Sequence, residues 1–146
     1  MSLSNASETA LLNLLFNNTA WALIGDASGL QPSAAPGSFY VALHTADPGE
    51  AGAQNTTEAA YTGYARVAVA RSAGGFTVSG NQVSNTATVQ FGECTAGSST
   101  VTYFTVGTAA SGAGSVIYRG ALSASRAISA GITPLFNAGA LTGTAD

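Results

Sequence analysis

A mainly β fold, a single antiparallel β-sandwich of jelly-roll type with one N-terminal α-helix, is the class that this 146-residue sequence predicts. Three observations point to it. Short stretches of period-two hydrophobicity recur from Ser38 onward, and turns rich in Gly, Ser and Asn separate them. No helical patterns alternate with those stretches, which argues against a parallel α/β sheet. The length is that of one ordinary domain, so residues 1–146 are expected to form a single unit, with 1–20 as a helix or arm and 38–142 as the sandwich.

The helix comes first. Asn5 is the expected cap, with Glu8 three residues on, and Leu11, Leu12, Leu15 and Phe16 follow at helical spacing. Asn17-Asn18 should end it. Its apolar stripe is expected to pack on the domain or on a sister subunit rather than to hold a cofactor. Residues 25–37 carry Pro32 and Pro36 among Gly, Ser and Ala, and read as a surface connection.

Strands are then predicted over 38–43, with Phe39, Val41 and Leu43 in phase, and over 65–70, with Val67 and Val69 in phase. Further strands are expected at 76–78, 83–91, 100–106 and 115–122, with a weak pair near 127–128 and 135–136. Ser79-Gly80-Asn81 is short enough for a hairpin, and 96–99, 110–114 and 130–131 make the later reversals.

Composition narrows the function. The basic residues are Arg66, Arg71, Arg119 and Arg126, lysine is absent, and the net charge is -3, so no basic patch suggests nucleic acid. Only 8% of residues are charged, whereas a soluble domain averages about a quarter. A surface of hydroxyls, amides and small side chains loses little on being covered, which suits permanent contact with neighbours. Cys94 is the only cysteine, which leaves no internal disulfide, and it is expected to be a small buried or half-buried hydrophobe. The N-terminus lacks a basic n-region and no apolar run approaches the roughly 20 residues of a membrane span, so neither an export leader nor membrane insertion is expected.

Catalysis would have to centre on His44, the single histidine, with Asp47 nearby to orient it. No Gly-x-Ser-x-Gly elbow supplies a nucleophile. His44 is therefore expected to end a strand before a turn at Asp47-Pro48-Gly49 and to be hydrogen-bonded locally. Asp47, Glu50, Asn55 and Glu58 offer oxygen atoms to a hard cation, but they lack the spacing of a calcium loop, so a solvated acidic excursion is expected and no metal. Gly112-Ala113-Gly114 lies between strands, where no helix N-terminus stands ready for a phosphate. No cofactor is expected. Arg66 and Arg119 lie in strand stretches, either as fixed contacts to a carboxylate, within the subunit or across an interface, or as exposed outward-facing residues. With Leu11, Leu12, Leu15 and Phe16 they are the candidate assembly contacts.

Four blocks of sequence carry a resemblance: 3–20, with Leu3-Ser4-Asn5-Ala6, Glu8 and Ala10-Leu11-Leu12-Asn13; 39–48, Phe39 to Pro48; 61–66, Tyr61 to Arg66; and 138–142, Ala138 to Thr142. Over nearly its whole length the chain resembles a family of short tailed-phage virion proteins, labelled as tail-fibre-like or as head decoration (cement) proteins. The resemblance implies a non-enzymatic virion component made in the bacterial host cytoplasm. The absence of repeats favours a minor capsid protein on the capsid surface, partnered by the major capsid protein and by itself as a dimer or trimer; a tail-fibre or tail-tip receptor-binding module is the alternative.

Overall fold

The computed structural model describes all residues, Met1 to Asp146. It contains one helix, α1 (Asn5–Phe16), and nine strands: β1 (Ser38–His44), β2 (Val67–Ala70), β3 (Phe76–Ser79), β4 (Gln82–Asn85), β5 (Val89–Gln90), β6 (Ser98–Gly107), β7 (Val116–Ser129), β8 (Leu135–Phe136) and β9 (Thr142–Thr144). The strands form sheets in the orders β2-β1-β6-β7, β3-β4-β9 and β5-β8. The β1–β6, β6–β7, β3–β4 and β4–β9 pairings are all antiparallel. The fold is mainly β and antiparallel with one N-terminal helix, consistent with the sandwich class that the sequence predicts. No helix is long and apolar enough to cross a membrane.

Contacts divide the chain into two compact units. The first comprises Met1–Ser38, Ala70–Thr88 and Phe136–Asp146. Its helix is capped by Ser4 rather than by Asn5: the Ser4 hydroxyl accepts from the Ser7 amide, and Asn5 is already helical. Glu8 sits in the first turn, where the helix dipole favours a negative charge. At the other end Asn18 adopts a left-handed backbone (φ 52°) and the Thr19 amide turns back to the Asn13 carbonyl. Asparagine tolerates that conformation better than most residues, which explains why the helix stops there.

Leu12 and Phe16 are fully buried, and Phe16 meets Phe76 edge-on at 4.9 Å, so this face of α1 lies against β3 and β4. The Thr9 hydroxyl donates to the Gly80 carbonyl at the β3–β4 hairpin. Arg71 clasps the helix C-terminus, donating from Nε to the Leu15 carbonyl (2.6 Å) and from Nη2 to the Leu14 carbonyl (2.9 Å), while Nη1 reaches Pro36 and Ser33. A cation at that end complements the exposed carbonyls and the negative pole of the helix.

Asn85, buried at the end of β4, holds the C-terminal segment. Its Oδ1 accepts from the Leu141 amide, and its Nδ2 donates to the carbonyls of Ala87 and Asn137. This explains a departure from the sequence reading: the strand expected over 83–91 breaks into β4 and β5. A side chain that bonds to the backbone two residues on competes with a continuous ladder.

The second unit comprises Phe39–Val69 and Val89–Leu135. Within it β6 pairs with β1 on one side, Tyr40 opposite Gly107 through His44 opposite Tyr103, and with β7 on the other. Val41, Leu43, Phe91, Cys94, Val101, Val106 and Ile128 are buried. Tyr64 stacks on Phe91 and takes Tyr61 edge-on, both favoured geometries for ring pairs. The stretches expected at 115–122 and 127–128 are one strand, β7, joined through a bulge between the pairs Val101–Arg126 and Tyr103–Ala121.

Candidate functional site

The chemistry-bearing side chains of the second unit gather around the segment that follows β1. His44 ends β1 and is completely buried. Its Nδ1 lies 2.8 Å from the Thr56 carbonyl and its Nε2 lies 2.9 Å from the Thr105 hydroxyl. A carbonyl can only accept, so Nδ1 carries the proton, and in the neutral ring Nε2 accepts from Thr105. Burial holds the imidazole pKa below its ordinary value; the Thr56 carbonyl and Glu58 oppose that shift and Arg66 reinforces it. The ring is a neutral strut between β1, β6 and the loop.

Arg66 stands immediately before β2. It grips Glu58 through two bonds of 2.7 Å, Nε to Oε1 and Nη2 to Oε2. Its remaining N–H groups donate to the carbonyls of Ala109 (2.8 Å) and Gly112 (2.7 Å). The hydrogen bond to Glu58 is the main reason its pKa is raised further. Tyr64 adds a second donor to Glu58 at 2.8 Å while its oxygen accepts the Leu43 amide. Burial, the larger cause, and Glu58 together push the Tyr64 phenol pKa upward, so it stays protonated. Gln54, also fully buried, donates to the Tyr40 carbonyl and accepts the Ala109 amide. These bonds tie three chain segments, 54–66, 109–112 and β1, into one polar cluster whose members satisfy one another.

A second ion group lies at the surface. Arg119 on β7 donates through Nη1 to both oxygens of Asp47, at 2.8 and 2.7 Å, and through Nη2 to Glu50 Oε1. The Asp47 carboxylate also accepts the Gly49 amide and so shapes the turn.

This arrangement assigns each candidate from the sequence. His44 and Asp47 do not form a relay, because His44 spends both nitrogens on Thr56 and Thr105 while Asp47 faces Arg119. The carboxylates considered as cation ligands are paired with arginines, Glu58 with Arg66, and Asp47 and Glu50 together with Arg119. Arg66 and Arg119 thus make carboxylate contacts inside the chain. Leu12 and Phe16 lie in the core of the first unit, and Leu11 and Leu15 are half-buried beside them. Gln54, Tyr64, Arg71 and Asn85 carry polar anchoring that the sequence reading did not single out. Scarcity of charge was the usable signal for Arg71; nothing local marks Gln54 or Asn85.

A family model described as podophage GP4 fiber I protein gp80 matches residues 2–144. The chain belongs to this family. No curated protein matches it. As a member of the fiber I protein gp80 family it is a structural protein of a tailed-phage virion, and the blocks at 3–20, 39–48, 61–66 and 138–142 all fall inside the matched region. The fiber I family is one of structural proteins, and the His44 and Arg66 cluster fits that character: its groups are buried, paired and directed at backbone carbonyls, which fixes loops rather than presenting a reactive atom.

Proposed function

We propose that the chain is a non-enzymatic structural subunit of the tail-fibre apparatus of a podophage-type particle. The family match over residues 2–144, to a model described as a fibre protein, is the observation that carries this reading. Two features support it. The surface is poor in charge, and the loop closed by the Trp21–Leu30 bridge exposes Leu23, Ile24 and Leu30, apolar side chains that an assembly would cover.

A capsid decoration role, with the chain bound to the major capsid protein on the outside of the head, is the second reading. The absence of an internal repeat favours it, because fibre shafts are commonly repetitive. Immunogold labelling of purified virions, together with quantitative mass spectrometry against the major capsid protein, separates the two. Label confined to the tail, at a copy number matching tail symmetry, is expected. Label over the whole head, in numbers comparable to the major capsid protein, would replace the fibre reading with the decoration one.

A further inference from the structure

We propose that the outer edge of β7 is an interface with a second copy of this chain, closed by Arg126 of each copy on Glu50 of the other. Strand β7 is fourteen residues long and ends the sheet order β2-β1-β6-β7, so β6 pairs with one side of it only. Typical strands run about 5–6 residues, and long edges are normally blunted by Pro, by charged side chains or by bulges. Val116–Ser129 holds no Pro, its only charged side chains are Arg119 and Arg126, its register shifts are confined to the stretches between Val116 and Tyr118 and between Ala121 and Arg126, and nearly every position from Ala121 to Ala127 is exposed.

Charge selects the occupant. Arg119 and Arg126 are seven positions apart, which would put them on opposite faces of a regular strand. The bulge changes this, because two steps along β6, Val101 to Tyr103, correspond to five along β7, Arg126 to Ala121. Arg119 opposite Thr105 and Arg126 opposite Val101 therefore share one face. On that face Arg119 joins Asp47 and Glu50, a group with one negative charge in excess. Arg119 contacts Glu50 through Oε1 only, and the Glu50 side chain is 90% exposed. Arg126 is exposed and makes no ion pair. Each chain thus offers an acidic acceptor near one end of the edge and an unpaired guanidinium near the other, beside an open groove of about 370 Å³ lined by Glu50 and Val116–Arg119. Antiparallel pairing of β7 with its copy about a two-fold axis brings the two together twice, as an isologous interface requires. The interface does not depend on whether the protein sits in the tail or on the head.

Sedimentation velocity of the full chain over a range of concentrations tests it. The wild type is expected to dimerise, more weakly as salt rises. Arg126→Glu and Glu50→Arg should each weaken the dimer by about tenfold or more, and the double charge swap should restore it to near the wild-type level. Circular dichroism checks that each variant is folded. Arg126→Glu removes no ion pair or side-chain hydrogen bond within the chain, so it remains informative even if Glu50→Arg disturbs Arg119. A wild type that stays monomeric, single variants that dimerise normally, or a double variant that does not recover would each overturn the proposal.

Discussion

Glu58 and Arg66 face each other through two parallel hydrogen bonds of 2.7 Å, with the arginine side chain almost wholly buried and that of Glu58 18% exposed. In such a site the pair is worth less than the damage done by removing one member, because the survivor is left as an unpaired charge with little access to water. Arg66→Ala should therefore destabilise the protein by about 3 kcal/mol or more in urea unfolding. Arg66→Lys should recover only part of this, since a lysine cannot reproduce the planar fork that reaches Glu58, Ala109 and Gly112 together. Equal stability of the lysine variant and wild type would show that the fork geometry is irrelevant.

His44 should make stability depend on pH. Its folded pKa lies below the unfolded value of about 6.5, so the unfolded chain binds the proton more readily. The contribution of the neutral ring is fully present above pH 6.5 and is lost as pH falls through the lowered folded pKa. The stability gap between wild type and His44→Gln, measured by chemical denaturation at a series of pH values, should shrink on acidification. A gap independent of pH between 7.5 and 4.5 would contradict this assignment.

Asn85 makes three hydrogen bonds from a buried position, to Leu141, Ala87 and Asn137. Asn85→Ala should cost about 2–3 kcal/mol by leaving buried backbone groups unpaired. Asn85→Asp should be worse than its similar shape suggests, because a carboxylate cannot donate to the two carbonyls. Hydrogen exchange at the Leu141 amide, which Asn85 protects, is expected to quicken in both variants while the β6–β7 amides change little.

Gly120 pairs with Phe104 across β6 and β7, and a Cβ at Gly120 would lie 2.6 Å from the ring. Gly120→Ala should push the ring aside and destabilise by about 1–2 kcal/mol. Combined with Phe104→Ala, the effect should be clearly less than additive in a double-mutant cycle, since the obstructing ring is gone. Full additivity would place the cost in the glycine backbone instead.

Local signals carried much of the fold. The leucine spacing after Glu8 marked the helix, although the cap moved by one residue, from Asn5 to Ser4, because both are good capping types. Period-two alternation located β1, β2, β3 and β6 to within a few residues. It failed at β9, where Thr142-Gly143-Thr144 has no hydrophobic phase and becomes a strand only by pairing with β4. The candidate site was half legible. Rarity of charge marks Arg66 and Arg119, and His44 stands out as the single histidine, but Gln54, Tyr64 and Asn85 resemble dozens of other polar residues until the chain brings partners to them.

By itself the sequence determined the mainly antiparallel β class, the single leading helix and the kinship with tailed-phage virion proteins, because these depend on residue order and spacing over short stretches. Tertiary structure alone decided which carboxylate each arginine meets, that His44 is a buried neutral strut, and that a bulge turns Arg119 and Arg126 to one face. The physical reason is that an ion pair or a strand register joins residues far apart in the chain, and its geometry exists only once folding has closed the loops between them.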